Sequence, residues 1–335
     1  MRTIKWNGKN NTIRLVDQTL LPKEYRIIEC TTIESLCHAI RTLKVRGAPA
    51  IGVAGAYGIA LAAHTSRATT SQELLQELES AAREIAGTRP TAINLAWAIN
   101  RVMNTVKSKI VTKREIVEIA IVEAEIIANE DIRTNKKIGE HGATLLQTGD
   151  TVLTHCNAGR LACVDWGTAL GVIRSAINNG QKIRVIACET RPLHQGSRLT
   201  TWELIEDKIP VTLITDSAAG HLMRRGMIDK IIVGADRITQ DAVFNKIGTY
   251  THSVLAKEHS IPFYVAAPTS TIDRNHREED ITIEERDPDE LRYLNDTQLA
   301  PDGVPVYNPA FDATPIENIT AIITEKGILH PPLTF

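Results

Sequence analysis

Apolar residues recur along this chain with two different periods, and the change of period divides it. Over the first thirty residues the pattern alternates. Runs at 2–6 and 12–16 flank a Gly-Lys-Asn-Asn turn and a third run covers 25–30, so small antiparallel strands are expected. From Thr32 the spacing becomes helical, with helices expected at 33–43, 49–63, 71–86, 90–106 and 113–137. In the last of these, Ile116, Ile119, Ala120, Val122, Ile126 and Ile127 make the apolar side, with Glu and Lys opposite. After Gly149 short runs of Val, Ile and Leu appear at 151–155, 183–188, 211–215, 230–235, 262–267 and 319–323, the first five separated by helical stretches. Near-continuous apolar strands joined by crossover helices indicate a parallel sheet covered on both faces. The expected fold is therefore α/β. A smaller, mostly helical domain with a small antiparallel sheet covers 1–138, and a parallel-sheet domain covers 139–335. The charged, irregular segment 273–302 reads as surface loops over the sheet.

In a doubly wound sheet the residues that follow the strands gather along one edge, where such sheets bind ligands. Here they are Cys156, Glu189-Thr190-Arg191, Asp216, Asp236 and Pro268-Thr269. A thiol, several carboxylates and an arginine on one edge point to an active site. The first strand of this series feeds the turn Cys156-Asn157-Ala158-Gly159, after which Leu161, Leu170, Ile173 and Ile177 recur at helical spacing. A cysteine just ahead of a helix sits where the dipole favours a thiolate. Cysteine is also among the residue types most often buried, so position alone leaves a packed thiol and a reactive one both open. His155 adjoins it, but neighbouring strand residues point to opposite faces, which favours a packed histidine over a Cys-His pair.

Other motifs suggest an anionic ligand. Arg46-Gly47-Ala48-Pro49 opens a helix with Pro at its first position, leaving amides free to meet a phosphate beside the Arg46 guanidinium. Thr88-Arg89-Pro90-Thr91 repeats the arrangement. Val233-Gly234-Ala235-Asp236 ends an apolar strand in a carboxyl that desolvation would hold protonated, ready to act as an acid. Asn245-Lys246 follows, at the start of an expected helix through Glu258, where Lys246 can neutralise a phosphate. Gln195-Gly196 belongs to a polar loop on the same edge. Gly52, Gly55 and Gly58 sit at helical spacing and read as close helix packing. No Gly-x-Gly-x-x-Gly follows a strand, which argues against a dinucleotide-dependent dehydrogenase.

Charge and composition narrow the class. With 38 Lys+Arg against 40 Asp+Glu in 335 residues, there is no basic excess for nucleic acid and no acidic tail. The start, MRTIKWNGKN, has no apolar core of a secretory signal, and the run 48–63 is too short and Gly-rich to span a bilayer. Five cysteines without CxxC spacing argue for reduced thiols and against a disulfide framework or zinc site. No metal or other cofactor is expected, nor a nucleic-acid or membrane partner.

Read in order, these motifs, together with Thr154-His155-Cys156-Asn157-Ala158-Gly159, Cys188-Glu189-Thr190-Arg191-Pro192 and Asn245-Lys246-Ile247-Gly248-Thr249-Tyr250, resemble the methylthioribose-1-phosphate isomerases. These belong to the initiation factor 2B-like aldose-1-phosphate isomerases, and the match runs over nearly the full length. The resemblance implies a homodimeric cytoplasmic enzyme of methionine salvage, with a helical amino-terminal lobe and a Rossmann-like carboxy-terminal domain. It implies catalysis by Cys156 and Asp236, with substrate contacts from Arg46, Gly47, Ala48, Arg89, Gln195, Asn245 and Lys246. Two stretches depart from the family pattern. The segment 160–166 carries larger side chains than usual, and the loop between Asp236 and Asn245 is slightly shorter. Both border the expected substrate site. Related isomerases act on 5-deoxyribose 1-phosphate or ribose 1,5-bisphosphate, and more distant relatives are non-catalytic regulatory subunits of a nucleotide-exchange factor.

Overall fold

Alternation in the first thirty residues builds a three-stranded antiparallel sheet, β1 (Ile4–Asn7), β2 (Thr12–Val16) and β3 (Ile27–Cys30), in that order. Ile4, Ile13 and Leu15 are its buried members. The structure, a computed structural model, describes residues 1–90, 92–108, 112–294 and 296–333. Thr91, in the second Arg-Pro motif, and Asn295, within the expected loops, lie outside the described residues. Contacts divide the chain into two units: Met1–Lys137 with Ala158–Gly171, and Ile138–Asn157 with Val172–Phe335.

In the first unit α1 (Ile33–Arg41) starts at a capping box. The Thr32 hydroxyl accepts the Ser35 amide, and the Ser35 hydroxyl accepts the Thr32 amide. α2 (Ala48–Thr65) is buried along most of its length. It is the one helix among the described residues long and apolar enough to cross a membrane, but 72% of that window is buried within the protein. Its glycines explain the close packing. A Cβ at Gly52 would lie 2.9 Å from the Asn94 carbonyl oxygen, and one at Gly58 would lie 2.6 Å from Ile85 Cδ1. These approaches seat α2 against α3 (Ser71–Ala86) and α4 (Ile93–Lys107). α5 (Lys113–Ala143) continues past its expected end at 137.

The second unit holds a seven-stranded sheet. Its first strand is β4 (Thr151–Thr154), followed by α6 (Ala169–Asn178), β5 (Arg184–Cys188), α7 (Thr201–Glu206), β6 (Val211–Ile214), α8 (Ala219–Arg224) and β7 (Lys230–Val233). β8 (Arg237–Ile238), β9 (Ala242–Lys246), α9 (Thr249–Glu258) and β10 (Phe263–Ala266) come next. The hairpin β11 (Tyr293–Leu294) and β12 (Thr297–Gln298) lies within the expected loop segment. β13 (Phe311–Pro315), β14 (Ala321–Thr324) and β15 (Gly327–Leu329) complete the chain. Across the sheet the order is β15-β14-β10-β7-β4-β5-β6, with β14 through β6 parallel and β15 antiparallel at the edge. Leu153, Ile231, Val233, Val265 and Ile322, all buried, fill its core. From β4 the chain adds β5 and β6 on one side, then returns to add β7, β10 and β14 on the other. The reversal falls between β4 and β7, and crevices at such switch points are where open sheets take ligands.

Two expectations fail here. The helix after β4 does not begin at the Cys156 turn. Leu161 lies in a single helical turn, Arg160–Ala162, and α6 starts only at Ala169. The dipole argument for a Cys156 thiolate thus loses its premise. Asn245 and Lys246 do not open a helix either, because they end β9. β9 is the middle strand of a small sheet, β13-β9-β8, whose partner β13 comes about sixty residues later, beyond the reach of local periodicity. The helix starts after Gly248, whose φ of 102° breaks the strand. Asp312 of β13 then caps it, accepting the Gly248 amide at 2.7 Å and the Tyr250 amide at 3.1 Å.

Candidate active site

Cys156 sits two residues beyond β4 with φ at 65°, a left-handed conformation that costs a non-glycine residue about 1–3 kcal/mol. Side chains from the neighbouring strand's loop hold it there. The Cys156 amide donates to Thr190 Oγ1 at 2.9 Å, and Thr200 Oγ1 donates to the Cys156 carbonyl at 2.6 Å. Thr190, itself at φ 65°, also donates to the Cys188 carbonyl at 3.1 Å. Its amide and that of Arg191 are bound by the two carboxylate oxygens of Asp216 at 2.8 and 2.7 Å. Asn157 anchors the far side of the turn, donating to Thr200 Oγ1 and to Glu203 Oε1, while Glu203 is paired with Arg174 at 2.7 Å. Thr190, Thr200 and Glu203 are fully buried, whereas Cys156 keeps partial exposure and the other four cysteines are buried. A hydrogen-bonded polar cradle therefore presents one thiol at the switch point.

Asp236 lies three residues beyond β7, the strand next to β4. Its amide donates to the Phe244 carbonyl at 2.9 Å, which sets it beside Asn245 on β9. Arg237 turns to Asp273, 3.2 Å away. Asn245 Nδ2 donates to Thr249 Oγ1 at 3.0 Å. Lys246 is buried, donates to the Ala310 carbonyl at 2.8 Å and lies over the Phe311 ring at 4.6 Å. Burial pushes the nearby Asp312 carboxyl up to about 6, although the Gly248 and Tyr250 amides and Lys246 pull it down. Gln195 leads the turn after β5, and its buried Oε1 has no hydrogen-bond partner among the described residues. Gly196 is obligatory, since a Cβ would fall 1.6 Å from the Cys188 carbonyl oxygen.

The remaining expected contacts belong to the first unit. Gly47, at φ 94°, caps α2, and a Cβ there would meet Ala162 at 2.6 Å. Arg46 Nε donates to Gln18 Oε1 at 3.0 Å, and Gln18 Nε2 donates to the Leu161 carbonyl at 2.7 Å, which orients the guanidinium. Pro49 is the second residue of α2, not the first. Pro90 lies outside α4, which starts at Ile93 behind an extended Ala92, so the second Arg-Pro motif is not a helix start. Arg89 stands in the turn after α3, its amide reaching the Ala86 carbonyl.

His155 is packed, as expected from its place beside Cys156. Its Nε2 lies 2.9 Å from the Ile247 carbonyl and its Nδ1 lies 3.3 Å from His252 Nε2. Burial pushes His155 down to about 4 and His252 down to about 3, so both rings are neutral near pH 7. Burial also raises the Cys188 thiol, 3.7 Å from His252 Nε2. Sequence reading missed this trio, and the cradle roles of Thr200 and Asn157, because no local spacing marks them.

The model of the initiation factor 2 subunit family matches residues 44–331. A putative methylthioribose-1-phosphate isomerase of Methanosarcina acetivorans is 62% identical, the alignment covering 99% of this chain and 95% of that protein. The crystal structure of 5-methylthioribose 1-phosphate isomerase from Pyrococcus horikoshii OT3 superposes with a TM-score of 0.92 at 45% identity, covering 99% of this chain and 93% of the other. A crystal structure from A. fulgidus, described as translation initiation factor eIF-2B, subunit delta, superposes with a TM-score of 0.89 at 57% identity, covering 99% and 96%.

Proposed function

The chain belongs to the initiation factor 2 subunit family, and we propose that it is one of its isomerases, converting 5-methylthioribose 1-phosphate to 5-methylthioribulose 1-phosphate in methionine salvage. The observation that carries this reading is the pair Cys156 and Asp236 beyond two neighbouring parallel strands, at the point where strand order reverses. The A. fulgidus name suggests a non-catalytic subunit instead. Such a protein would have no use for a cysteine held at φ 65° by buried threonines, because strain of this kind collects at functional sites.

The substrate's anomeric oxygen is esterified, so its ring cannot open to a free aldehyde. A protonated Asp236 gives its proton to the ring oxygen as the bond from C1 breaks and its electron pair moves to that oxygen. The Cys156 thiolate takes the C2 proton, leaving a C1–C2 double bond with the phosphate still on O1. Delivery of a proton to C1 from the Cys156 thiol, after exchange with solvent, and loss of the O2 proton to the Asp236 carboxylate give the ketose and restore both groups. As substrate contacts we retain Arg46, Gly47, Ala48, Arg89, Gln195, Asn245 and Lys246. The buried, unpartnered Gln195 Oε1 and the buried Lys246 ammonium support two of these, as acceptor for a sugar hydroxyl and counter-charge for phosphate. The same reading takes the sheet as Rossmann-like and the working protein as a cytoplasmic homodimer.

The test is turnover of the methylthio, 5-deoxy and 5-phospho sugar 1-phosphates side by side, with the reaction also run in deuterated water. Ketose should form fastest from the methylthio sugar, with deuterium entering at C1. No turnover of any of the three defeats the enzymatic reading, and deuterium-free product replaces the proton route by direct hydride transfer from C2 to C1. Asp236→Asn keeps the shape but cannot give up a proton, so it should bind substrate and fail to turn it over.

A further inference from the structure

Three residues far apart in sequence, His155, Cys188 and His252, bring their donor atoms within 4.8 Å of one another in the interior of the second unit. Each comes from a different element: His155 follows β4, Cys188 ends β5 and His252 lies on α9. We propose that they form a binding site for one divalent transition-metal ion of the zinc type, with the His155 Nδ1, His252 Nε2 and Cys188 Sγ atoms as ligands.

The geometry argues for it. A carbonyl oxygen can only accept, so the 2.9 Å contact from His155 Nε2 to the Ile247 carbonyl puts the ring proton on Nε2 and leaves the Nδ1 lone pair facing the cluster. Ligating histidines are commonly oriented this way, by a carbonyl on the remote nitrogen. With metal–nitrogen bonds of about 2.0–2.1 Å and metal–sulfur bonds of about 2.3 Å, a tetrahedral site has edges of roughly 3.3 Å between nitrogens and roughly 3.6 Å from nitrogen to sulfur. The observed separations are 3.3 Å for the two nitrogens and 3.7 Å from His252 Nε2 to the sulfur. The third edge, His155 Nδ1 to Cys188 Sγ, is within 4.8 Å, and the sulfur would have to move toward His155 to close the site. The Asp216 carboxylate keeps an oxygen 3.7 Å from His155 Nδ1 while accepting the Thr190 and Arg191 amides, so a fourth ligand would be a water. The ion's two positive charges would be offset in part by the Cys188 thiolate and by the Asp216 carboxylate beside His155. Coordination releases the thiol proton and changes no oxidation state. With all three ligands buried, the proposed role is structural. It ties the residue before Cys156 to β5 and α9.

The rival arrangement is metal-free, with His252 Nε2–H donated to His155 Nδ1. Expression in cobalt-supplemented medium, purification without chelator and elemental analysis separate the two. The proposal expects one cobalt per chain, tetrahedral ligand-field bands in the visible, a thiolate-to-cobalt charge-transfer band in the near ultraviolet, and a higher thermal midpoint than metal-depleted protein. Cys188→Ala should lose the charge-transfer band and His252→Ala the stoichiometric metal, while Cys163→Ala changes neither. If those variants fail to fold, Cys156→Ala decides the matter, since the band must survive it and its loss overturns the proposal. Protein without cobalt and without these bands overturns the proposal in favour of the hydrogen-bonded trio. A charge-transfer band that survives Cys188→Ala overturns it too, since another thiol, such as Cys156, would then be the ligand.

Discussion

The Thr190 hydroxyl is the single group whose removal best tests how the fold holds Cys156. Thr190→Val is close to isosteric and equally β-branched, so the backbone cost of φ 65° at that residue stays the same. What disappears is the acceptor for the Cys156 amide at 2.9 Å and the donor to the Cys188 carbonyl at 3.1 Å. Thr190 is fully buried, so water cannot replace it. Each orphaned buried group costs about 1–3 kcal/mol, which gives roughly 2–6 kcal/mol for the pair. Cys156 would also be released from one side of its cradle. If about 1.4 kcal/mol of the thiol's placement is lost at the transition state, turnover falls about tenfold. Thr190→Ser is the control. It keeps both hydrogen bonds and gives up one buried methyl, worth about 1 kcal/mol. Denaturant titration followed by circular dichroism gives the stability difference, and steady-state kinetics on the sugar phosphate give the rate. Equal stability and equal turnover in the valine and serine variants would refute the argument that this hydroxyl holds the cysteine in place.

Cys156→Ala should lower turnover by roughly 10²–10⁴ while leaving the dichroism spectrum and sugar-phosphate affinity intact, and near-normal activity would reject the acid–base assignment. Lys246→Met keeps the stem over Phe311 and removes the charge, so affinity for the sugar phosphate and for inorganic phosphate should drop by roughly 1.5–3 kcal/mol. Calorimetry showing unchanged affinity for both would remove Lys246 from the site. Burial pushes the Asp131 carboxyl up to about 7, against the pull of the Val164 amide at 2.7 Å. The folded protein therefore keeps a proton that the unfolded chain has already released. This stabilising contribution is complete below about pH 4 and is lost as pH rises to about 7. Because Asp131 retains some exposed area, screening should limit the effect to about 2 kcal/mol. Asp131→Asn should flatten that slope, and identical slopes in unfolding midpoints between pH 4 and 8 would show that the carboxyl does not titrate there.

Much of this protein follows from its hydrophobic spacing alone. Period two marked the first antiparallel strands, and a helical period found α3 to the residue, because solvent on one side and core on the other impose the period on each element separately. The short apolar runs after Gly149 gave six of the seven strands of the larger sheet to within a residue or two at each end, and missed the edge strand β15. Their parallel direction placed Cys156, Thr190, Asp216 and Asp236 at the same ends of neighbouring strands. Spacing carries no record of which distant segments meet. Asn245 and Lys246 read as a helix start because β13, the strand that makes β9 a strand, comes much later in the chain. Cys156 reads as a turn residue at a helix dipole, whereas its conformation is set by Thr190 and Thr200 through hydrogen bonds across the sheet edge. His155, Cys188 and His252 show no ligand spacing at all and converge only because β4, β5 and α9 pack together. Local order is a matter of each residue's exposure and was legible. The strained cysteine, the cradle and the buried trio depend on pairwise contacts between remote residues, which only the folded chain decides.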